Sequence, residues 1–295
     1  MTQENSMFRG SIVALVTPFK SDFEIDYEAY ARLLDFQLEQ GTDGIVPCGC
    51  TGEAATLSHE EQEGIIKFAI EHVAGRVPVI AGTGSNNTKE AQRLTQYAKD
   101  VGADGALLIT PYYNKPTVAG QIAHYRGIAE AVDLPIMLYN VPGRTGTKLE
   151  PSTIAELSKT PNIVSVKEAC GSVDQVSQIR SLCDINILSG DDSLTLPMMA
   201  VGASGVVSVS ANVAPAKCAA LCKAFEDGDL VTAQQLHYEL LPLFGGLFIE
   251  TNPMPVKATL AKMGLIENVL RLPLTPMQPN KFKELEPILS GVGIG

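Results

Sequence analysis

Short apolar runs recur along the chain at intervals of roughly 20 to 40 residues, and most are separated by stretches with helical spacing. Eight runs read as strands: Ser11 to Thr17, Gly44 to Pro47, Val79 to Gly82, Gly105 to Thr110, Ile136 to Asn140, Ile163 to Lys167, Asn186 to Ser189 and Gly205 to Ser210. The intervening spacing predicts helices over Tyr27 to Gln40, His59 to Val73, Thr88 to Val101, Ala119 to Ala131 and Pro151 to Ser158. Strand and helix alternating in this way predict a parallel sheet, and a count of eight favours a closed (β/α)8 barrel over an open doubly wound sheet. Beyond the last run, Pro215 to Glu226, Leu230 to Phe244 and Pro253 to Met263 read as helices with no strand between them. The expected architecture is an α/β protein: a TIM barrel over 8–212 that carries the active site, and a C-terminal helical appendage over 213–295. The Pro-rich stretch Leu272 to Pro279 reads as a packed turn.

Of the 295 residues, 45% are hydrophobic and 19% charged, enough apolar content for a large core. The net charge of -11 argues against a nucleic-acid groove or an anionic membrane surface. No run approaches the roughly 18 apolar residues of a membrane span, and Met1 to Asn5 is polar rather than signal-like, so a cytoplasmic protein is expected. Six cysteines lie in or beside strand-like or helix-like segments, without the density of a secreted scaffold, and reduced thiols are expected.

In a parallel barrel the chemistry sits at the carboxyl ends of the strands. Lys167 stands at one such end, after Ile163-Val164-Ser165-Val166. A solvated lysine is neutral in only about one molecule in two thousand at pH 7, so attack on a carbonyl needs burial to lower its pKa. The alternative is a snorkelling surface cation. Gly49 to Gly52 (GCTG) precedes a helix, so its backbone N–H groups and the Thr51 hydroxyl suit a small carboxylate, or else the glycines serve an ordinary turn. Tyr139 ends the fifth strand and can face Lys167, where a phenol relays protons, or it is simply a buried tyrosine. Arg144, after the Pro142-Gly143 turn, suits bidentate carboxylate recognition, although a lone loop arginine is commonly a surface charge. His59, His72, His124 and His237 are scattered over predicted helices and make no ligand set with Cys48 and Cys50, so no metal is expected.

Taken in order, GCTGE at Gly49, PYYN at Pro111, YNVPGRTG at Tyr139, VKEACG at Val166 and LSGDD at Leu188 resemble the N-acetylneuraminate lyase and dihydrodipicolinate synthase superfamily of class I aldolases. The resemblance runs from about Phe8 to Pro276. Arg144 and the pair Tyr112-Tyr113 look like the synthase branch. It implies a lyase that condenses pyruvate with L-aspartate-4-semialdehyde to 4-hydroxy-tetrahydrodipicolinate, in the diaminopimelate route to lysine, with no cofactor. Lys167 would form the imine, Thr51 would hold the pyruvate carboxylate, and Tyr139 would shuttle protons. Arg144 would orient the aldehyde substrate's carboxylate, and the Val207 carbonyl would face the adduct. Tyr113 matches a tyrosine lent across a tight dimer, which implies a homotetramer built from tight dimers.

Two departures stand out. Cys50 occupies a position where synthases of this family usually carry a second threonine, linking the two tyrosines in a proton relay. Gln62 replaces a histidine found in some lysine-sensitive members, although Asn86, Glu90, Tyr112 and His59 match residues around the family's lysine feedback pocket. The alternatives are a sibling aldolase that cleaves a 2-keto-3-deoxy sugar acid or a 4-hydroxy-2-oxo acid, and a non-catalytic keto-acid sensor or scaffold.

Overall fold

The structure, a computed structural model, describes residues 7–295; the polar start Met1 to Asn5 lies outside them. Eight strands form one parallel sheet: β1 Gly10–Ala14, β2 Gly44–Val46, β3 Ile80–Gly82, β4 Gly105–Ile109, β5 Ile136–Asn140, β6 Ile163–Glu168, β7 Asn186–Ser189 and β8 Gly205–Ser208. Their order is β2-β1-β8-β7-β6-β5-β4-β3, and a parallel bridge between Ile45 and Val79 joins the two ends. The sheet is therefore a (β/α)8 barrel, as the strand count predicts.

Several strands end before their runs do: β1 stops at Ala14, β2 at Val46, β4 at Ile109 and β8 at Ser208, and the residues beyond lead into the loops at the carboxyl mouth. Strand parity sorts the side chains. Ile12 and Ala14 of β1, Met137 and Tyr139 of β5, and Leu188 of β7 fill the barrel interior, while Val13, Ile136, Leu138 and Val166 pack outward against helices. Phe8 closes the amino end, where a Cβ on Gly105 would collide with its ring.

The helices are α1 Tyr27–Glu39, α2 His59–Val73, α3 Thr88–Asp100, α4 Val118–Ala131, α5 Pro142–Thr145, α6 Pro151–Leu157, α7 Val173–Leu182, α8 Thr195–Ala200, α9 Pro215–Glu226, α10 Leu230–Gly246, α11 Met254–Lys262 and α12 Pro279–Gly291. Several start on side-chain caps that the sequence carries in plain form. Ser58 and Glu61 make a reciprocal capping box on α2, and Asp26, Asn87, Thr117 and Ser172 cap α1, α3, α4 and α7. The four-residue helix α5 is a single turn set by Pro142, and it projects Arg144 from the end of β5. Helix α9 lies against β1 and β8, and α10 to α12 follow it. Among the described residues no helix is long and apolar enough to cross a membrane.

Candidate active site

After a register shift at Ile136/Met137, β5 and β6 pair regularly to their carboxyl ends, with Tyr139 opposite Lys167. Val166 packs outward, so parity sends Ser165 and Lys167 inward, onto the same side as Tyr139. The Lys167 amine stands 4.3 Å from the centroid of the Tyr139 ring, and both residues are nearly closed to solvent, at 5% and 7% exposure. Gly190 leaves room for the lysine arm: a Cβ there would stand 3.0 Å from Lys167 Cε.

The next residue, Glu168, anchors the strand end from the opposite face. Its carboxylate accepts from Asn140 Nδ2 at 3.0 Å on each oxygen, from Gln175 Nε2 at 3.0 Å and from the Cys170 N–H at 3.0 Å. Behind β8, Asp192 accepts from the Val209 and Ser210 N–H groups and from the Ser210 hydroxyl. These buried acceptors hold the strand ends that carry the functional groups, because leaving any of them unpaired is costly.

Burial lowers the Lys167 pKa from its ordinary 10.5 to about 8; nearby Cys50, Asp192 and Asp191 pull it up and Arg144 pushes it further down. With that value about a tenth of the amine is neutral at pH 7, a gain of two orders of magnitude over a solvated lysine. Burial pushes the Tyr139 phenol well above its ordinary range, beside Cys50, so it holds its proton and can lend it. Asp191 is also raised by burial and accepts from the Gly171 N–H at 3.1 Å.

The cleft has two chambers. A narrow one of about 60 Å³ is bordered by Lys167, Tyr139, Cys50, Thr51, Arg144 and Asp191. A wider one of about 380 Å³ shares Cys50, Tyr139 and Arg144 with it and extends past Gln62 to His59, Glu90 and Tyr112. The loop between them is built to stay put. Glu53 takes a left-handed conformation, φ 54°, and its carboxylate pairs with Lys257 of α11 at 2.6 Å.

The structure thus brings Lys167, Tyr139, Cys50, Thr51 and Arg144 to one cleft. Val207 lies inside the barrel, and Val209, two residues on, borders the narrow chamber. Tyr113 borders neither chamber: it is 89% exposed, with φ 69°, next to Tyr112. Of the four residues matched to a lysine pocket, His59, Glu90 and Tyr112 border the wider chamber, and Asn86 is bonded to Tyr112. His59 Nε2 lies 2.7 Å from Glu90, Ser85 donates to the same carboxylate, and Asn86 Nδ2 donates to the Tyr112 carbonyl at 3.1 Å. Among the described residues no group of three or more His, Cys, Asp and Glu gathers as a metal site.

Sequence reasoning missed Asn252. It arrives from the segment between α10 and α11, donates from Nδ2 to Thr51 Oγ1 at 3.0 Å, and accepts from Arg144 Nη2 on its backbone oxygen at 3.2 Å. The dipeptide Asn252-Pro253 marks a turn in the sequence, but nothing in it points to the barrel mouth.

A parallel barrel whose mouth presents a buried amine of lowered pKa between a phenol, a hydroxyl and a guanidinium has the makings of a carbonyl-binding α/β barrel enzyme. The model of the dihydrodipicolinate synthetase family matches residues 7–292. The chain belongs to that family. It is 55% identical over 291 residues to the 4-hydroxy-tetrahydrodipicolinate synthase of Syntrophobacter fumaroxidans, covering 98% of this chain and 100% of that protein. The crystal structure of the dihydrodipicolinate synthase from Aquifex aeolicus superposes with a TM-score of 0.95 at 49% identity, covering 97% of this chain and 99% of that one. The enzyme from Cyanidioschyzon merolae, solved with lysine bound, reaches 0.96 at 40% identity over 99% and 100% of the two chains.

Proposed function

We propose that this protein is a 4-hydroxy-tetrahydrodipicolinate synthase that condenses pyruvate with L-aspartate-4-semialdehyde through an imine on Lys167. The observation that carries the reading is the in-register pair of Tyr139 and Lys167 at the barrel mouth, with the amine lowered to about 8 by burial. The neutral amine adds to the pyruvate C2 carbonyl, and loss of water leaves an iminium. The iminium accepts the electron pair released when the methyl carbon gives up a proton, and the resulting enamine attacks the aldehyde carbon. The amine of the second substrate, once deprotonated, then attacks C2 and expels the Lys167 amine, closing the ring. Overall, pyruvate and the semialdehyde give the cyclic product and one water.

In this reading Thr51 and the neighbouring N–H groups hold the pyruvate carboxylate, and Arg144 holds the carboxylate of the semialdehyde. Tyr139 moves protons, with Cys50 beside it, and the Val207 backbone faces the adduct. Tyr113, exposed on a left-handed backbone, suits a side chain that completes the neighbouring protomer's cleft, so we assign activity to a homotetramer of tight dimers, in the cytoplasm. The test is borohydride reduction with pyruvate present. A mass increase confined to Lys167, together with consumption of the semialdehyde, is the expected result. Trapping without condensation would move the assignment to an aldolase for another aldehyde, and no trapping would remove the imine.

The same cleft supports feedback by L-lysine at Asn86, Glu90, Tyr112 and His59. The Glu90 carboxylate offers an anionic partner for an ammonium, at the far end of a chamber continuous with the reaction site. A flat reaction rate across millimolar L-lysine removes this assignment.

A further inference from the structure

We propose that Asn252 is a specificity-determining residue for the second substrate, its side-chain oxygen receiving the ammonium of an α-amino aldehyde whose carboxylate lies on Arg144. This inference rests on the reaction assigned above and deepens it. Asn252 is 4% exposed and borders both chambers of the cleft. Its Nδ2 donates to Thr51 and its backbone oxygen receives Arg144, so the residue touches the proposed holders of both substrates' carboxylates. Its Oδ1, by contrast, is a buried acceptor with no hydrogen-bond partner among the described residues. A buried amide oxygen left unpaired weakens the fold, and such an atom in a substrate cleft is explained when the ligand brings the donor.

The chemistry of the ligand supplies that donor. In an α-amino acid the ammonium and carboxylate share one carbon, so a carboxylate on the Arg144 fork brings its ammonium close to the residue that anchors the fork. A neutral amide is also the suitable acceptor. It orients the ammonium without the full charge of a carboxylate, which would hold the proton that must leave before the amine can close the ring. Asn252 acts in addition as a positioning residue for Thr51. By donating to Thr51 Oγ1 it leaves the hydroxyl proton of Thr51 free for the pyruvate carboxylate.

Two semialdehydes separate these roles: aspartate semialdehyde as substrate, and succinic semialdehyde, the same chain without the amine, as inhibitor. In the full-length enzyme, Asn252→Ala is expected to raise the KM for aspartate semialdehyde about tenfold or more, while the inhibition constant of succinic semialdehyde moves by less than about twofold. Equal weakening of both, or of neither, overturns the inference. Asn252→Asp keeps the shape and the acceptor but cannot donate to Thr51. It is expected to keep the discrimination between the two semialdehydes and to raise the KM for pyruvate; loss of discrimination in this variant also overturns the inference. Failure of the underlying reaction is distinguishable, since it shows in the unaltered enzyme as no pyruvate trapped on Lys167 or no semialdehyde consumed.

Discussion

Lys257 and Glu53 meet at 2.6 Å with neither side chain open to solvent, which ties the C-terminal helix α11 to the loop that carries Thr51. The ammonium also donates to the Thr17 carbonyl at 2.9 Å and lies 4.3 Å over the Phe19 ring, and the second oxygen of Glu53 receives the Arg271 N–H. Such a pair adds little net stability against an apolar replacement, but breaking it strands a charge. Lys257→Met is therefore expected to destabilise the protein by about 3–5 kcal/mol, measured by urea unfolding, and to weaken pyruvate binding through the Thr51 loop. Adding Glu53→Gln should restore part of that stability. A single variant as stable as the parent would show that the loop needs no clamp.

The lowered pKa of Lys167 gives a pH signature. Below about 8 the amine is protonated and inert, so the initial rate of pyruvate trapping at low pyruvate should rise about tenfold per pH unit up to that value, then level off. Burial is the main cause, and Asp191 is one of the groups opposing it. Asp191→Asn should thus move the rising limb to lower pH, and a limb that moves up or stays fixed contradicts the assignment. The same shift acts on stability. The unfolded chain binds this proton more tightly, so the penalty is full below about pH 8 and fades as pH climbs towards 10.5.

The barrel was legible because its signals are periodic and local. Apolar runs mark the strands, but the irregularity that pairs Ile136 with Ile163 and Met137 with Ser165 breaks the alternation of β6 and is not written in the run itself. Lys167, Tyr139, Thr51 and Arg144 were legible because strand ends are where this architecture keeps its polar groups. The partners that set their geometry were not. Glu53 and Lys257 are 204 residues apart, and Asn252 reaches Thr51 across 201, with no pattern linking either pair. Helical spacing found Pro215–Glu226, but which body that helix packs on is a tertiary fact.

Arg144 is held by the Asn252 carbonyl at 3.2 Å, at the border of both chambers. Its guanidinium also helps depress the Lys167 pKa, after burial. Arg144→Ala should raise the KM for aspartate semialdehyde at least about tenfold, the scale of a lost charge-assisted hydrogen bond, while pyruvate still traps on Lys167. Steady-state kinetics with both substrates varied, alongside trapping, reads the two effects separately. Loss of trapping with the semialdehyde unaffected would reassign Arg144 to the pyruvate side of the cleft.

Cys50 borders both chambers and, after burial, is the largest influence on the Tyr139 phenol. A proton relay past Tyr139 needs a group that accepts and donates in turn, and a thiol does both more weakly than a hydroxyl. Threonine at this position supplies the hydroxyl with a similar volume, and the added methyl has the space of the adjoining chamber. Cys50→Thr is therefore expected to hold or raise turnover under saturating substrates, with pyruvate trapping unchanged. A fall of about tenfold or more, equal to about 1.4 kcal/mol in the barrier, would show that the thiol has a role of its own.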